Sequence, residues 1–181
     1  MARTIQKSSP IPDSNAYSLW FIPRGPIYRR LSKAIVQLSQ AFEKPRFHPH
    51  VTLLDGISGP EEIIIAQTVK LADILTPIKV NLSKMSGTDE YFRCLFLQVE
   101  QTDNIMKAHQ LARKIFNLEQ EDTFMPHLSL MYGHYPKDAK KAIIAKIENA
   151  LLGDFIADHL YLYNTSEAPD TWSQIRAYTL A

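Results

Sequence analysis

The segment F-H-P-H-V-T-L-L-D-G at residues 47–56 returns 77 positions later, without a gap, as F-M-P-H-L-S-L-M-Y-G at residues 124–133. Five positions are identical in the two copies: Phe47 and Phe124, Pro49 and Pro126, His50 and His127, Leu53 and Leu130, and Gly56 and Gly133. The threonine of the first copy is matched by a serine in the second. Agreement at this level predicts that the chain contains two copies of a larger unit.

The sequence on either side of each segment shows the same order of predicted elements. In the first copy, apolar alternation and helical spacing predict strands at 17–22, 47–54 and 78–84 and helices at 27–42 and 61–75. In the second copy they predict strands at 94–99, 124–131 and 155–163 and helices at 104–117 and 137–152. This order predicts an α+β fold of two pseudo-symmetric lobes, each an antiparallel sheet flanked by helices, with a central cleft.

The 181 residues are predicted to form a single domain spanning residues 1–181. The repeats at 17–89 and 94–166 are the two predicted lobes, and a last strand is predicted at 172–180. Each repeat alone is small for a stable hydrophobic core, so we expect the lobes to fold together. The polar residues 1–13 are interpreted as a loose arm.

Composition excludes several classes of protein. The chain has 20 Lys and Arg against 19 Asp and Glu, and a net charge of +1 is not the basic surface that grips a long nucleic-acid backbone. A hydrophobic content of 45% excludes a disordered chain. No apolar run approaches the ~18 residues of a membrane span, and the first residues lack the apolar core of a secretory signal. With Cys94 as its only cysteine, the chain is expected in a reducing compartment, the cytoplasm. It is also expected to be a monomer that does not bind membranes.

The repeated segments place reactive side chains on one face of each predicted strand. Alternate residues of a strand share a face, so His50 and Thr52 point away from the apolar residues between them. The same alternation sets His127 and Ser129 apart from their apolar neighbours. If a pseudo two-fold axis brings the strands side by side, two imidazoles and two hydroxyls meet in the cleft.

This set of groups suits phosphoryl chemistry that needs no metal ion and no cofactor. One neutral histidine can take a proton from water, and the other, protonated, can give one to the leaving oxygen. The hydroxyls of Thr52 and Ser129 can donate to phosphate oxygens. We assign His127 to the water and His50 to the leaving oxygen, with the reverse assignment left open.

A single H-x-T on a strand is weak evidence, because such a histidine is usually structural or merely exposed. Two copies in a common F-x-P-H context favour the catalytic interpretation. His48 and His50 form an H-P-H pair that could bind a metal, but the second copy has Met125 in place of His48, and catalytic zinc needs about three protein ligands.

The motifs H-V-T-L at 50–53 and H-L-S-L at 127–130 resemble the paired H-x-[ST]-hydrophobic signature of the 2H phosphoesterase superfamily, whose fold is called LigT-like. Together with Y-S-L-W-F-I-P at 17–23, they resemble the cyclic phosphodiesterases of plants and fungi. The resemblance implies an enzyme that hydrolyses nucleoside 2′,3′-cyclic phosphates to 2′-phosphates, ADP-ribose 1″,2″-cyclic phosphate to the 1″-phosphate, or both. It implies that His50 and His127 are the acid–base pair.

Further substrate contacts are predicted beside the motifs. The resemblance places Tyr132 near the phosphate, where the first copy has Asp55 instead. Trp20 is a candidate for stacking on a base. Arg46, Lys84 and Arg93 are candidate cations for phosphate, although most exposed lysines and arginines are only solvated. His109 is expected at the surface of its helix.

Two other functions remain open at this point. An RNA-end-processing 2H enzyme, ligase-like on 2′-5′ bonds or exonuclease-like, would act on oligonucleotides with a steep salt dependence. A non-catalytic nucleotide- or RNA-binding module is disfavoured because both histidines and both hydroxyls are intact. We expect a small cyclic nucleotide as the substrate, with RNA ends as the alternative.

Overall fold

The fold is described from a computed structural model of the chain, which covers residues 16–118 and 123–181. The arm predicted at residues 1–13 lies outside the described residues. The helices are α1 (Gly25–Phe42), α2 (Glu61–Ala72), α3 (Asp103–Ile115) and α4 (Lys137–Leu151). The strands are β1 (Tyr17–Phe21), β2 (Val51–Ile57), β3 (Ile78–Ser86), β4 (Leu95–Val99), β5 (His127–Met131), β6 (Gly153–Ala157), β7 (His159–Asn164) and β8 (Ser173–Thr179).

These strands form one antiparallel sheet in the order β6-β3-β4-β5-β2-β1-β7-β8. The motif strands β2 and β5 are neighbours at its centre, where the pairing of Val51 with Leu128 joins the two halves. The predicted α+β fold class is therefore confirmed. Strand β3 of the first copy pairs with β4 and β6 of the second, so strand pairing runs across the predicted boundary between the copies.

The helices also cross between the copies. Helix α1 of the first copy packs against β5 of the second, and helix α3 of the second packs against β2 of the first. Helix α1 buries residues at three- and four-residue spacing, which is the apolar stripe expected of a helix on a sheet: Ile27, Leu31, Ala34, Ile35 and Leu38. Each motif strand is thus covered on its apolar face by a helix from the other copy.

The prediction of one strand at 155–163 is wrong, because the chain forms two strands there. Strand β6 pairs with β3 at one end of the sheet order, whereas β7 pairs with β1 near the other end. Asp158 alone separates them, and its carboxylate accepts bonds from Arg24 and His159. Since strands far apart in the order are one residue apart in the chain, the sheet must curl strongly on itself. The buried positions change phase here, from Phe155 and Ala157 before Asp158 to Leu160 and Leu162 after it, which is the local sign that a single predicted strand overlooked.

Within the described residues, no helix is both long enough and apolar enough to cross a membrane.

Helix α2 offers a test of the face assignment, since Ile63 and Ile64 are adjacent but differ in burial, with 55% and 1% of their surface exposed. Ile64→Ala is expected to lower the free energy of unfolding by about 2–5 kcal/mol, because it leaves a cavity in the core. Ile63→Ala should cost less than about 1 kcal/mol. Urea denaturation measures both, and equal losses would contradict the assigned face.

Candidate active site

The pairing of Val51 with Leu128 fixes which side chains face each other at the centre of the sheet. Continuing this antiparallel register by one residue in each direction sets Thr52 opposite His127 and His50 opposite Ser129. Residues opposite one another on a face have Cβ atoms about 4.5–5.5 Å apart. Val51 and Leu128 are themselves fully buried on the helix side, so the four polar residues share the other face.

The strands begin later than predicted, at Val51 and His127, and the irregular segments before them orient the histidines. Pro49 and Pro126 have no N–H to give to a strand ladder, which is consistent with the late start. The His50 Nδ1–H donates to the carbonyl oxygen of His48 at 2.7 Å.

The second copy repeats this bond, since the His127 Nδ1–H donates to the Met125 carbonyl at 2.9 Å. A carbonyl oxygen can only accept, so Nδ1 carries the proton in both rings. In the neutral form, each ring then keeps the lone pair of Nε2 for a substrate.

All the side chains predicted for the site line one cleft of about 690 Å³. They are the histidines, the hydroxyl residues and the two aromatic residues of the prediction: His50, His127, Thr52, Ser129, Tyr132 and Trp20. The structure therefore brings both copies of the motif together.

Desolvation dominates the electrostatics of the two histidines. His50 is 5% exposed, and its burial lowers its pKa to about 3, with nearby His127 adding to the shift. His127 is half-buried, and desolvation lowers its pKa as well, against the effect of the bond to the Met125 carbonyl. Both rings are therefore neutral at pH 7 in the free protein.

Ser129 is already engaged in the free protein. Its hydroxyl donates to the carbonyl oxygen of Phe92 at 3.0 Å. Phe92 belongs to a short 3₁₀ turn, Tyr91–Arg93, that the sequence pattern did not predict. To donate to a phosphate, the Ser129 hydroxyl must rotate away from this carbonyl, since a hydroxyl has one proton to give.

Trp20 supports His50 from behind. The indole stacks on the His50 ring at 3.6 Å between centroids and on Tyr163 at 3.9 Å. Its Nε1–H donates to the Ser18 hydroxyl, and only 1% of its surface is exposed. Both faces of the indole are covered, so this geometry does not support Trp20 as a platform for a base and instead makes it a positioning residue for His50.

Tyr132 lies beside Ser129, with its ring stacked on Phe47 at 4.0 Å. Burial raises the pKa of the Tyr132 hydroxyl, and the nearby Asp55 carboxylate acts in the same direction. The hydroxyl therefore stays protonated at neutral pH, as a hydrogen-bond donor would have to be. Desolvation within the cleft also raises the pKa of Asp55.

The prediction that His109 lies at the surface is wrong. His109 is 7% exposed, and its Nδ1–H donates to the Leu53 carbonyl at 2.7 Å, tying α3 to β2. Its ring also stacks on Phe124 at 3.8 Å. Helical spacing could have indicated this position, because His109 lies four residues after the buried Ile105 and shares its face.

His48 does not join His50 in the cleft. Its Nδ1 is 2.8 Å from the Tyr28 hydroxyl, and it lines a neighbouring cavity. In the parts of the chain that the structure describes, no group of three His, Cys, Asp or Glu side chains is arranged to hold a metal ion.

A curled antiparallel sheet with helices on one face and paired His-x-hydroxyl motifs on the other is the arrangement expected of the 2H phosphoesterase class. The family profile described as "Cyclic phosphodiesterase-like protein" matches residues 15–177. The chain belongs to this family and so to the 2H phosphoesterase superfamily. The predicted superfamily and the predicted enzyme class, a cyclic phosphodiesterase, are confirmed.

Two relatives and two solved structures illustrate the match. The chain is 27% identical to "Cyclic phosphodiesterase" of Arabidopsis thaliana, covering 92% of this chain and 96% of the relative. It is 30% identical to "2′,3′-cyclic-nucleotide 3′-phosphodiesterase" of Phaeosphaeria nodorum, covering 87% and 95%. Two solved structures share the fold. Thermus thermophilus TT0787 has a TM-score of 0.63 and 17% identity, covering 91% of this chain and 97% of that chain. Escherichia coli LigT with phosphate has a TM-score of 0.59 and 12% identity, covering 92% of this chain and 98% of that chain.

The desolvation of His50 can be checked by its titration. Because burial disfavours the imidazolium, His50 should stay neutral and Nδ1-protonated from pH 8 down to pH 5, whereas a histidine in the urea-unfolded chain titrates near ~6.5. Nitrogen-15 shifts of the ring report both the tautomer and the charge. A His50 midpoint near 6.5 in the folded protein would contradict the effect of burial.

The same shift links pH to stability. The pKa of His50 is lower in the folded protein than in the unfolded chain. At pH values between these two pKa values, the unfolded chain therefore binds more protons than the folded protein. The contribution of neutral His50 to the free energy of unfolding is therefore complete above about pH 6.5. It is lost as the pH falls toward the pKa of His50 in the folded protein.

Proposed function

We propose that the cleft hydrolyses one ester bond of a ribose cyclic phosphate and converts a nucleoside 2′,3′-cyclic phosphate to the 2′-phosphate. The observation that carries the proposal is the pairing of Val51 with Leu128, whose register gathers two histidines and two hydroxyls on one face. The names of the Arabidopsis and Phaeosphaeria relatives support the substrate class. The activity is independent of metal ions and cofactors.

The reaction needs one neutral histidine and one protonated histidine. A neutral ring takes a proton from water through Nε2 while the water oxygen bonds to phosphorus. The bond from phosphorus to the ribose 3′ oxygen breaks, and the protonated ring donates its proton to that oxygen. The two rings have then exchanged protonation states, and proton exchange with solvent restores them.

The pKa shifts favour His50 as the base, which reverses the assignment made from the sequence. His50 is the more buried ring and resists protonation most strongly. His127 is half-buried and is the ring that can be charged more readily when the phosphate anion binds. Because both rings are neutral in the free protein, the substrate is expected to bind together with a proton.

Thr52 and Ser129 bind the non-bridging phosphate oxygens in this proposal. Each lies opposite the histidine of the other copy, so we expect each hydroxyl and the opposing imidazole to contact the same phosphate group. Tyr132 adds a third hydroxyl that its raised pKa keeps protonated. These donors stabilise the charge that develops on the phosphate oxygens.

ADP-ribose 1″,2″-cyclic phosphate is the second proposed substrate, since the same ester lies in a ribose ring. RNA ends are the alternative, and the net charge of +1 favours the small nucleotides over them. We further propose that the chain works as a cytoplasmic monomer and as one domain, in which each half of the sheet combines strands from both repeats.

The assay is hydrolysis of the four nucleoside 2′,3′-cyclic phosphates in EDTA, with the 2′- and 3′-phosphate products resolved. His50→Ala and His127→Ala should each lower kcat by about 10²–10⁴-fold, because positioned acid–base groups contribute that much. His159→Gln is the matched control, since His159 contacts Asp158 and Thr179 away from the cleft.

Circular dichroism shows whether each variant is folded. The two-histidine mechanism is wrong if a folded His50 or His127 variant keeps the kcat of the wild type. A requirement for added zinc would instead support metal chemistry.

A further inference from the structure

A second cavity, of about 390 Å³, adjoins the active cleft. Trp20 and Trp172 line both spaces, so these two indoles form the wall between them. Besides the two indoles, the residues of the second cavity with polar side-chain atoms are Tyr28, Ser32, Arg46, His48, Tyr163 and Asp170. None of them is used by the proposed reaction.

Arg46 supplies a positive charge to the second cavity. It is exposed, and across residues 16–118 and 123–181 no carboxylate lies within 4 Å of its guanidinium. Its electrostatic effect is nonetheless felt at the Tyr28 hydroxyl, where it opposes the rise in pKa caused by burial. A planar guanidinium with open donors suits the geometry of a phosphate group.

Tyr28 and His48 share one hydrogen bond, and the pair keeps a second proton to donate whichever residue is the donor in that bond. If the Tyr28 hydroxyl donates to Nδ1 of His48, the neutral ring carries its own proton on Nε2. If Nδ1–H donates to the tyrosine oxygen, the hydroxyl proton remains to be given. In both arrangements the pair keeps one proton for an anion, and the half-buried Ser32 contributes another hydroxyl.

The second cavity lies within a short reach of the reacting groups. Arg46 and His50 are four residues apart, so their Cα atoms are at most about 14 Å apart even along a fully extended chain. His48 connects the two sites, because its side chain lines the second cavity while its carbonyl accepts the hydrogen bond that orients the His50 ring. One nucleotide could therefore occupy both.

We propose that the second cavity binds a terminal phosphate or diphosphate carried by the same nucleotide whose cyclic phosphate lies in the active cleft. The substrate class is then a ribose cyclic phosphate with a second phosphoryl group, rather than an unsubstituted nucleoside cyclic phosphate. This inference rests on the proposed function and narrows it. Asp170, which lies in the same cavity, opposes the anion and limits how tightly it is held.

The test compares adenosine 2′,3′-cyclic phosphate with and without a 5′-phosphate. The wild type should show a kcat/KM about tenfold or more higher for the 5′-phosphorylated substrate, the effect of a charged hydrogen bond to arginine. Arg46→Gln should abolish that preference through KM, and Asp170→Asn should increase it. Arg29→Gln is the control, because Arg29 is exposed on α1 and lines neither space.

Each outcome decides one of the two proposals. Equal kcat/KM values for both substrates in the wild type, or a preference that survives Arg46→Gln, would overturn the second site while leaving the hydrolytic function intact. A dinucleotide ending in a cyclic phosphate is the third substrate. If the internal phosphodiester of this dinucleotide raises kcat/KM as much as the 5′-phosphate does, the assignment to a terminal phosphate is overturned and RNA is indicated as the substrate.

Failure to hydrolyse any of these substrates would instead overturn the proposed function. The site itself is then tested by calorimetry with inorganic pyrophosphate, whose affinity should fall about tenfold or more in Arg46→Gln and stay unchanged in Arg29→Gln. Shifts of the His48 ring resonances on adding pyrophosphate locate the binding. Unchanged affinity in Arg46→Gln would overturn the site.

Discussion

One antiparallel contact between Val51 and Leu128 determines the geometry of this site. The two motifs are 77 residues apart in the chain, and each carries half of the reactive groups. A shift of one residue in this register would turn the apolar residues toward the cleft and the histidines toward the helices. The burial of Val51 and Leu128 beneath helices from opposite copies opposes such a shift, so core packing and catalytic alignment depend on the same pair.

The burial that orders the two histidine rings also keeps them neutral. Trp20 covers one face of His50, and a backbone carbonyl fixes its tautomer, so little freedom is left in the ring. The cost of that order is a low pKa, since a desolvated imidazole resists protonation. In the proposed reaction the negative charge of the ligand reverses this at His127, which makes the active protonation state a property of the complex.

Local pattern predicted much of this molecule and missed what depends on distant contacts. The repeat follows from the identity of the two motifs and the helices follow from short-range spacing. The expectation for Tyr132, which lines the cleft with His50, came from the family resemblance. The 3₁₀ turn that meets Ser129 has no local signal, because it is defined by a contact with a remote side chain. The division at Asp158 is marked locally only by a change in the phase of the buried residues, and pairing with remote strands decides it. Trp20 lines the cleft, but the sequence around it does not reveal that Tyr163 covers the indole face opposite His50.

The exchange of helices between the copies bears on how such a chain could have arisen. In a single copy of the repeat, the first helix would have to cover the motif strand of another molecule, as α1 covers β5 and α3 covers β2 here. A lone ancestral unit could therefore bury that strand only in a symmetric homodimer with exchanged helices, one with two equivalent histidines. Duplication and fusion would then have freed the two halves to diverge, as Asp55 and Tyr132 have done at equivalent positions.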